Sequence, residues 1–333
     1  MEKTVLVTGG AGYIGSHMVW KLLDNGEVPV VIDRLSTGQR NSIPDDIPFY
    51  HTDIADQGVV KKILIDHKIN SIMHFAGSIS VPDSLKNPLS YYRNNTYNSQ
   101  LLIESALENG IGAFIFSSTA AVYGTPIKTV PVIEETPLHP QSPYGFSKMM
   151  TERILADTSR THENFNVASL RYFNVSGADP ERRTGQSTKG AINLIKLACE
   201  AATGKRDFIE IYGTDYNTPD GTCIRDFIHV TDLVDAHYSA LNKLRSENGS
   251  FTANCGYGKG FSVREVINMV REFSGKEFEV KESPRRTGDI VSITANNEKI
   301  KSLTDWQIRH DELSQIVGSS YEWEEKLANQ YAA

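Results

Sequence analysis

A glycine-rich segment near the start of the chain limits most strongly what this sequence can fold into. Gly9–Gly15 reads Gly-Gly-Ala-Gly-Tyr-Ile-Gly and lies directly after the apolar run Thr4–Thr8, where a helical pattern begins. In such a segment Gly9 permits a tight turn, Gly12 lets the backbone approach a pyrophosphate, and Gly15 allows the helix to pack closely on the strand. The helix then presents its positive end to the phosphates. The segment therefore predicts a dinucleotide-binding unit.

The second predicted strand ends in a carboxylate that supports this interpretation. Asp33 lies close to the offset at which such units place the acid that binds the ribose hydroxyls. Because a carboxylate accepts from the 2′-hydroxyl and repels a 2′-phosphate, we expect NAD rather than NADP. Arg34 follows directly and would pair with a 2′-phosphate if it faced the ribose. We expect it instead to be a solvated loop charge.

Short apolar runs alternate with amphipathic segments through the first half of the chain. This alternation predicts an α/β fold with right-handed crossovers, a Rossmann-like doubly wound parallel sheet. The predicted strands are Val5–Thr8, Val28–Asp33, Phe49–Asp53, Ser71–Phe75, Ala113–Ser118 and Val167–Tyr172. The predicted helices between them are Gly12–Asn25, Gln57–His67, Asn94–Asn109 and Tyr144–His162.

The pattern becomes less regular after about Asn174. We expect residues 1–174 to form the NAD-binding Rossmann domain and residues 175–333 to form a smaller mixed α/β lobe for the substrate. Some segments of the second part, such as residues 225–245, are expected to pack back on the first domain. The elements predicted there are the strand Ile224–Val230 and the helices Thr231–Leu244, Val263–Ser274 and Leu313–Leu327.

Composition excludes several classes of function. The formal net charge of -7 argues against sequence-independent binding to nucleic acid or to anionic membranes, because both require basic surface. No apolar run reaches the length of a membrane span, and no charged-then-apolar leader precedes the first strand. The 3 cysteines are widely separated, so neither a disulfide framework nor a metal site is indicated. We therefore expect a cytoplasmic enzyme or binding protein.

A phenol and an ammonium four residues apart form the candidate catalytic pair. Tyr144 and Lys148 share one helical face after the fifth predicted strand, where parallel strands open into a ligand crevice. Lys148 would hold the nicotinamide ribose and, with the positive nicotinamide, lower the pKa of the Tyr144 phenol from its usual value of about 10. The fifth strand ends in Ser117-Ser118-Thr119, and we expect the Thr119 hydroxyl to join the pair.

Further motifs extend along almost the whole chain. They are Asp53-Ile54, His74–Gly77, Asn94-Asn95, Phe116–Thr119 with Val122–Gly124, Pro143–Gly145, Arg171–Asn174, the stretch from Gly213 to Asp226, and Arg285-Arg286 with Gly288-Asp289. With the glycine segment, these motifs resemble the extended short-chain dehydrogenase/reductase family, and within it the UDP-glucose 4-epimerase branch.

The resemblance implies a definite reaction, the interconversion of UDP-glucose and UDP-galactose. Tyr144 would remove the proton from the sugar O4, with Thr119 hydrogen-bonding or relaying it and Lys148 completing the catalytic set. The C4 hydride would pass to NAD, and the 4-keto sugar would turn and take the hydride back on its other face. The resemblance also implies a homodimer formed through the helices Asn94–Asn109 and Tyr144–His162.

The resemblance further implies which residues bind the two ligands. Cofactor contacts are expected from Gly9, Gly12, Tyr13, Ile14, Gly15, Asp33, Arg34, Asp53, Ile54, Phe75, Ala76, Gly77, Asn95, Ser117, Tyr144, Lys148 and Tyr172. UDP-sugar contacts are expected from Thr119, Tyr144, Phe173, Asn174, Asn193, Leu194, Tyr212, Arg225, Arg286, Asp289 and Ile293. Arg225 and Arg286 would meet the diphosphate through charge-assisted hydrogen bonds.

Departures from the family pattern bear on the cofactor and on the rival reactions. Ile79 stands where many members carry a lysine, which removes one expected contact with the cofactor ribose. Ala120 and Ala121 stand where sugar-nucleotide dehydratases and decarboxylases carry acids, and alanine cannot transfer a proton. The alternatives that stay open are a UDP-pentose or UDP-N-acetylhexosamine 4-epimerase and a non-catalytic NAD-binding regulator. The size of Ile293, at the expected wall of the sugar pocket, predicts weak activity on N-acetylhexosamines.

Overall fold

The computed structural model describes residues 3–126, 131–188, 190–286 and 289–332. Strands and helices alternate through its first half, as the sequence predicts. The strands are β1 (Thr4–Thr8), β2 (Val28–Asp33), β3 (Phe49–His51), β4 (Ser71–His74), β5 (Ala113–Ser117), β6 (Asn166–Tyr172), β7 (Asn174–Ser176), β8 (Phe208–Tyr212), β9 (Ile224–His229), β10 (Phe251–Cys255), β11 (Gly260–Ser262), β12 (Glu279–Ser283) and β13 (Ser292–Ile293). The α-helices are α1 (Tyr13–Asp24), α2 (Gln57–Asp66), α3 (Val81–Lys86), α4 (Pro88–Tyr91), α5 (Asn98–Glu108), α6 (Pro143–Thr161), α7 (Leu194–Ala202), α8 (Val230–Ser246), α9 (Val263–Ser274), α10 (Glu298–Leu303) and α11 (Leu313–Ala332).

A seven-stranded sheet in the order β10-β6-β5-β4-β1-β2-β3 forms the centre of the molecule. Every neighbouring pair in it is parallel. Because the strand order reverses direction beside β1, a ligand crevice is expected at the carboxyl ends of the strands there. The predicted doubly wound parallel sheet is therefore confirmed.

The alternation of side chains along β1 shows how the sheet is covered on both faces. Val5 and Val7 pack in one apolar cluster with residues of α1 and α8. Leu6 points the other way, into a cluster with residues of α2 and α5. Successive side chains of a strand point to opposite faces, so a fully apolar strand is suited to burial between two layers of helices.

The later part of the chain forms smaller sheets and also returns to the main one. Strand β9 pairs with β7, β11 and β13, and β8 pairs with β12. Helices α7, α9 and α11 cover these strands with a third apolar cluster. Strand β10, however, pairs with β6 at the edge of the main sheet, and α8 packs on α1. The proposed division of the chain at residue 174 stays a prediction.

The predicted helix Asn94–Asn109 is divided in the structure. Tyr92–Tyr97 forms a π-helical turn, and α5 begins only at Asn98. Single π turns recur at functional sites. Within the described residues, no helix is long and apolar enough to cross a membrane.

Candidate active site

The glycine segment forms the turn between β1 and α1. Gly9 has a φ of +69°, and a Cβ atom there would lie 2.7 Å from the backbone nitrogen of Ala76. A Cβ atom at Gly15 would lie 2.1 Å from the carbonyl oxygen of Gly9, so neither position accepts a side chain without rearrangement. Gly12 is the N-cap of α1, and among the described residues no side chain caps this helix. The first N–H groups of α1 are thus left to an anionic ligand such as a diphosphate.

Asp33 fixes the same turn from the end of β2. Its Oδ2 accepts a hydrogen bond from the backbone N–H of Ala11 at 3.0 Å, and its Oδ1 accepts from that of Leu35 at 2.7 Å. Burial raises the pKa of Asp33, and these two hydrogen bonds oppose the rise. Arg34 turns away to an exposed ion pair with Asp53, with 3.1 Å between Nη1 and Oδ2. This geometry fits a dinucleotide with a free 2′-hydroxyl.

The candidate catalytic residues lie at the start of α6 and at the end of β5. The Ser142 hydroxyl caps α6 by accepting from the backbone N–H of Gly145 at 3.2 Å. Tyr144 and Lys148 follow on one face and are 7% and 3% exposed. The Lys148 ammonium donates to the carbonyl oxygen of Ser117 at 2.9 Å, and the side chain of Thr119 interacts with the phenol of Tyr144 and favours its charged form. The structure therefore brings the three predicted catalytic residues together.

The acidity of these groups differs from the expectation. Burial raises the pKa of the Tyr144 phenol, and the hydrogen bond with Thr119 opposes that rise without reversing it. The predicted decrease in the pKa of Tyr144 is thus not produced by the protein's own groups. Burial also lowers the pKa of Lys148 to about 8, while the negative charge of Glu152 acts against this decrease.

Hydrogen bonds from the π-helical turn connect the loop after β4 with α6. The side chain of Asn95 accepts from the backbone N–H of Ser78 at 2.7 Å and donates to the Ser147 hydroxyl at 3.0 Å. The loop also passes close to Lys148, since a Cβ atom at Gly77 would lie 3.6 Å from its Nζ atom. Asn95 therefore positions Gly77 and Lys148 relative to each other.

The other predicted cofactor residues lie along the same edge of the sheet. Tyr172 ends β6, and its hydroxyl accepts from that of Ser117 at 2.9 Å. The hydroxyl of Tyr13 donates to the carbonyl oxygen of Gly177 at 2.7 Å, which ties the glycine turn to the segment after β7. The remaining ones follow strand ends or begin α1; they are Ile14, Ile54, Phe75 and Ala76.

Apart from Thr119 and Tyr144, the predicted substrate residues lie after β6. The guanidinium of Arg286 lies 4.4 Å from the ring centroid of Tyr212 and 3.2 Å from the carboxylate of Asp289. Arg225 on β9 pairs with Ile293 on β13. The others are Phe173 between β6 and β7, Asn174 at the start of β7, Asn193 as the N-cap of α7, and Leu194 as its first residue. The structure groups Arg286 with Tyr212 and Asp289, and it places Arg225 beside Ile293. The roles of all the predicted substrate residues stay predictions.

Ile293 belongs to an apolar cluster beside the catalytic crevice. It is 4% exposed and packs with Ala120, Val122 and Phe173. Asn193 is not part of this apolar cluster. It lines a small cavity that Tyr13 also lines. Predicted cofactor and substrate residues therefore share this cavity.

The sequence analysis missed a buried polar network beneath the catalytic residues. Glu152 and Arg171 form an ion pair in which Arg171 Nη2 lies 2.6 Å from Glu152 Oε2. The Ser118 hydroxyl donates to the same carboxylate, and Arg171 Nη1 donates to the Tyr123 hydroxyl at 3.0 Å. The four-residue spacing from Tyr144 to Lys148 continues to Glu152, and this signal could have identified the carboxylate.

A second feature that was missed is a buried histidine at the end of β4, where it contacts β1. His74 Nδ1 shares a hydrogen bond with the Thr8 hydroxyl at 2.7 Å, and its Nε2 shares one with the Ser99 hydroxyl at 2.8 Å. Burial, followed by the charge of Lys148, lowers the pKa of His74 to about 3. The imidazole is thus neutral at physiological pH. Among the described residues, no cluster of three or more His, Cys, Asp or Glu side chains could hold a metal ion.

Comparison with known proteins agrees with this geometry. The NAD dependent epimerase/dehydratase family matches residues 5–256 of the chain. The UDP-glucose 4-epimerase of Azospirillum brasilense is 50% identical over 323 residues, which cover 97% of this chain and 92% of that protein. The structure of the UDP-Glc/GlcNAc 4-epimerase from Campylobacter jejuni is similar with a TM-score of 0.85 and 46% identity, over 97% of this chain and 99% of that one. The UDP-glucose 4-epimerase from Bifidobacterium longum, solved with NAD+ and UDP, has a TM-score of 0.93 and 34% identity, over 98% of this chain and 99% of that one.

Proposed function

The chain belongs to the NAD dependent epimerase/dehydratase family, and we propose that it interconverts UDP-glucose and UDP-galactose by inverting the hydroxyl at C4. The observation that carries this proposal is the placement of buried Tyr144, Lys148 and Thr119 side chains at the edge of a sheet whose glycine turn fits a dinucleotide. Its relative from Azospirillum brasilense has this activity by name and matches 97% of the chain.

Most of the residues that would hold NAD lie at or just beyond the carboxyl ends of the six strands β1 to β6. The N–H groups at the start of α1 would hold the diphosphate, and Asp33 would hold the adenosine ribose. Lys148 and Tyr144 lie at the nicotinamide end, beyond β5. Bound NAD supplies a reversible hydride acceptor for C4 and a positive ring beside the phenol.

Tyr144 would act as the general base on the sugar. Its phenolate accepts the proton from O4, and Thr119 orients both groups through its hydroxyl. Burial opposes formation of the phenolate. The charge of Lys148 and that of the cofactor ring are therefore both needed to lower the pKa of the phenol in the complex.

The diphosphate would be held while the sugar turns. Arg225 and Arg286 come from different elements, β9 and the segment after β12. Arg286 is already oriented by the ring of Tyr212 and by Asp289. Charge-assisted hydrogen bonds to the diphosphate would fix the nucleotide, whereas the sugar meets mostly apolar or small side chains near Ile293 and can present either face.

A second candidate substrate class is the UDP-N-acetylhexosamines. Its support is the relative from Campylobacter jejuni, which is named a UDP-Glc/GlcNAc 4-epimerase and is 46% identical. Ile293 lies in the pocket wall proposed for the sugar and is smaller than an aromatic residue. We propose weak activity on these sugars beside the main reaction.

We also propose that the enzyme is a cytoplasmic homodimer formed through the helices predicted at Asn94–Asn109 and Tyr144–His162, which correspond to α5 with the end of the π-helical turn and to α6. Three large apolar side chains are exposed there, and exposed apolar patches mark interfaces. They are Tyr97, Phe146 and Met150. All three cysteines are free and buried thiols, which suits a reducing compartment.

The test of the function is conversion of UDP-galactose to UDP-glucose by the purified protein, with and without added NAD. Tyr144→Phe is expected to lower kcat roughly a hundredfold to ten-thousandfold, the usual contribution of a general base. Tyr91→Phe is the matched control, because its ring centroid lies 6.5 Å from that of Tyr144 without being the base. No conversion by the wild type, even with NAD added, would discard the proposal.

A further inference from the structure

Helix α6 carries three ionisable side chains at four-residue spacing on one buried face. Tyr144, Lys148 and Glu152 are 7%, 3% and 7% exposed. Residues four apart on a helix are direct neighbours, so Lys148 lies between the phenol and the carboxylate. The reaction proposed above uses the first two and leaves Glu152 without a role.

The carboxylate of Glu152 is fixed in a single orientation. Arg171 Nε lies 3.0 Å and 3.1 Å from its two oxygens, and Ser118 donates a further hydrogen bond to it. A buried ion pair of this kind contributes little net stability, since well-packed apolar residues often replace it without loss. Stability alone therefore gives a weak reason for placing these charges here.

The partners of Glu152 adjoin the other residues of the site. Ser118 directly precedes Thr119, and Arg171 directly precedes Tyr172, whose hydroxyl accepts from that of Ser117. The ion pair thus joins the ends of β5 and β6 to α6 below Lys148. We propose that Glu152 is a positioning residue for the reaction: held by Arg171 and Ser118, its carboxylate keeps the Lys148 ammonium charged and directed at the Ser117 carbonyl and the nicotinamide end of the crevice.

The charges around Lys148 support this role. Burial lowers the pKa of the Lys148 ammonium to about 8, and the charge of Glu152 is what opposes that decrease. His74 on β4 also faces Lys148 but is neutral, because burial lowers its pKa to about 3. Tyr144 on α6 and Tyr172 on β6 are protonated phenols, since burial raises the pKa of each. The remaining charge nearby, on Arg171, is positive and is neutralised by Glu152.

The inference rests on the proposed function, and two measurements separate them. The first is the pH at which kcat falls on the alkaline side. The second is the pKa of Lys148, measured by NMR on protein that contains isotopically labelled lysine. The signal of Lys148 is assigned by its loss in Lys148→Arg. This measurement requires no turnover. The variants are Glu152→Gln, Glu152→Asp and the double variant Glu152→Gln/Arg171→Met, which leaves no unpaired buried charge and is expected to fold where the single one fails.

We expect both quantities to fall by about one pH unit in the double variant, the usual effect of losing an opposite charge several ångströms away. The fall should be larger in the Gln variant, because the positive charge of Arg171 is then left uncompensated. Glu152→Asp keeps the charge and should stay close to wild type. A matched control is Glu27→Gln, which breaks a different buried pair, with Arg245, and should destabilise the fold without moving either quantity.

A folded double variant with the wild-type pKa of Lys148 and the wild-type alkaline limb would overturn the inference. It would show that the ion pair serves packing only. A wild type that lacks epimerase activity, by contrast, removes the proposed function, and the NMR pKa still decides what Glu152 does to Lys148.

Discussion

The ammonium of Lys148 donates a hydrogen bond to the carbonyl oxygen of Ser117, 2.9 Å away. This contact places the charge at the end of β5, where the next residues of the chain carry the hydroxyls of the crevice. Because it joins α6 to β5, this contact fixes the position of the cation one helical turn from Tyr144.

The first prediction concerns the alkaline side of the pH profile. The pKa of Lys148 is lowered to about 8, so its positive charge is present below that pH and is lost as the pH rises through it. We expect kcat to fall above about pH 8 in the wild type. Lys148→Arg keeps a cation at high pH. Its kcat should therefore not fall above about pH 8, even if it is lower than that of the wild type at every pH. The same decline in both proteins would contradict the assignment.

Acid should destabilise the fold through its buried histidines. Burial lowers the pKa of His17 and His237 to about 4 and that of His74 and His229 to about 3. The unfolded chain takes up these protons near pH 6.5 and the folded one does not, so stability falls as the pH drops below about 6.5. Each histidine contributes about 1.4 kcal/mol per pH unit to this slope.

Urea denaturation at a series of pH values measures that slope. His237→Leu should reduce it, because the buried site then has no proton to reject. His162→Gln alters an exposed histidine and should leave the slope unchanged. An unaltered slope in His237→Leu would argue against this origin of the acid sensitivity.

Cofactor retention should respond to residue 79. Ile79 is 60% exposed beside the loop that Asn95 holds, at the position where we expect many family members to carry a lysine. We expect Ile79→Lys to slow the release of NAD about tenfold, the value of one charge-assisted hydrogen bond. Ile65→Lys is the control, since Ile65 is 65% exposed on α2. NAD that remains with the protein after gel filtration is the measurement, and equal retention in both variants would count against a ribose contact.

Substrate breadth should depend on Ile293. An aromatic side chain at this 4% exposed position overfills the cluster with Phe173. We expect Ile293→Tyr to abolish turnover of UDP-N-acetylglucosamine while UDP-galactose turnover stays within about tenfold. Ile293→Leu conserves volume and should change neither rate strongly. The ratio of kcat/KM for the two sugars is the readout, and an unchanged ratio in Ile293→Tyr would place the pocket wall elsewhere.

Much of the fold could be predicted because its signals are local. The bounds of β2 and α9, Val28–Asp33 and Val263–Ser274, match the predicted segments. The first is a nearly continuous apolar run, and the second has apolar residues at helical spacing. Strand β10, Phe251–Cys255, alternates apolar and polar residues over only 5 positions, a signal that was not recognised in the sequence, and it pairs with the parallel edge that β6 offers. The π turn at Tyr92–Tyr97 likewise depends on bonds that Asn95 makes to Ser78 and Ser147.

The site shows the same limit. The positions of Tyr144 and Lys148 follow from a motif, and the structure places them together with Thr119. The increase in the pKa of Tyr144 does not follow from the motif. Burial outweighs the opposing influence of Thr119, and the extent of burial is known only from the folded chain. The pairing of Glu152 with Arg171 joins a helix to a strand, so only the folded chain shows it.

The central claim is that C4 is inverted by removal and return of its own hydrogen. The most direct test is epimerisation of UDP-galactose that carries deuterium at C4, in ordinary water. We expect UDP-glucose with the deuterium still at C4 and none in the solvent. Loss of the label to water during turnover would contradict it, because the hydrogen would then leave C4 as an exchangeable proton.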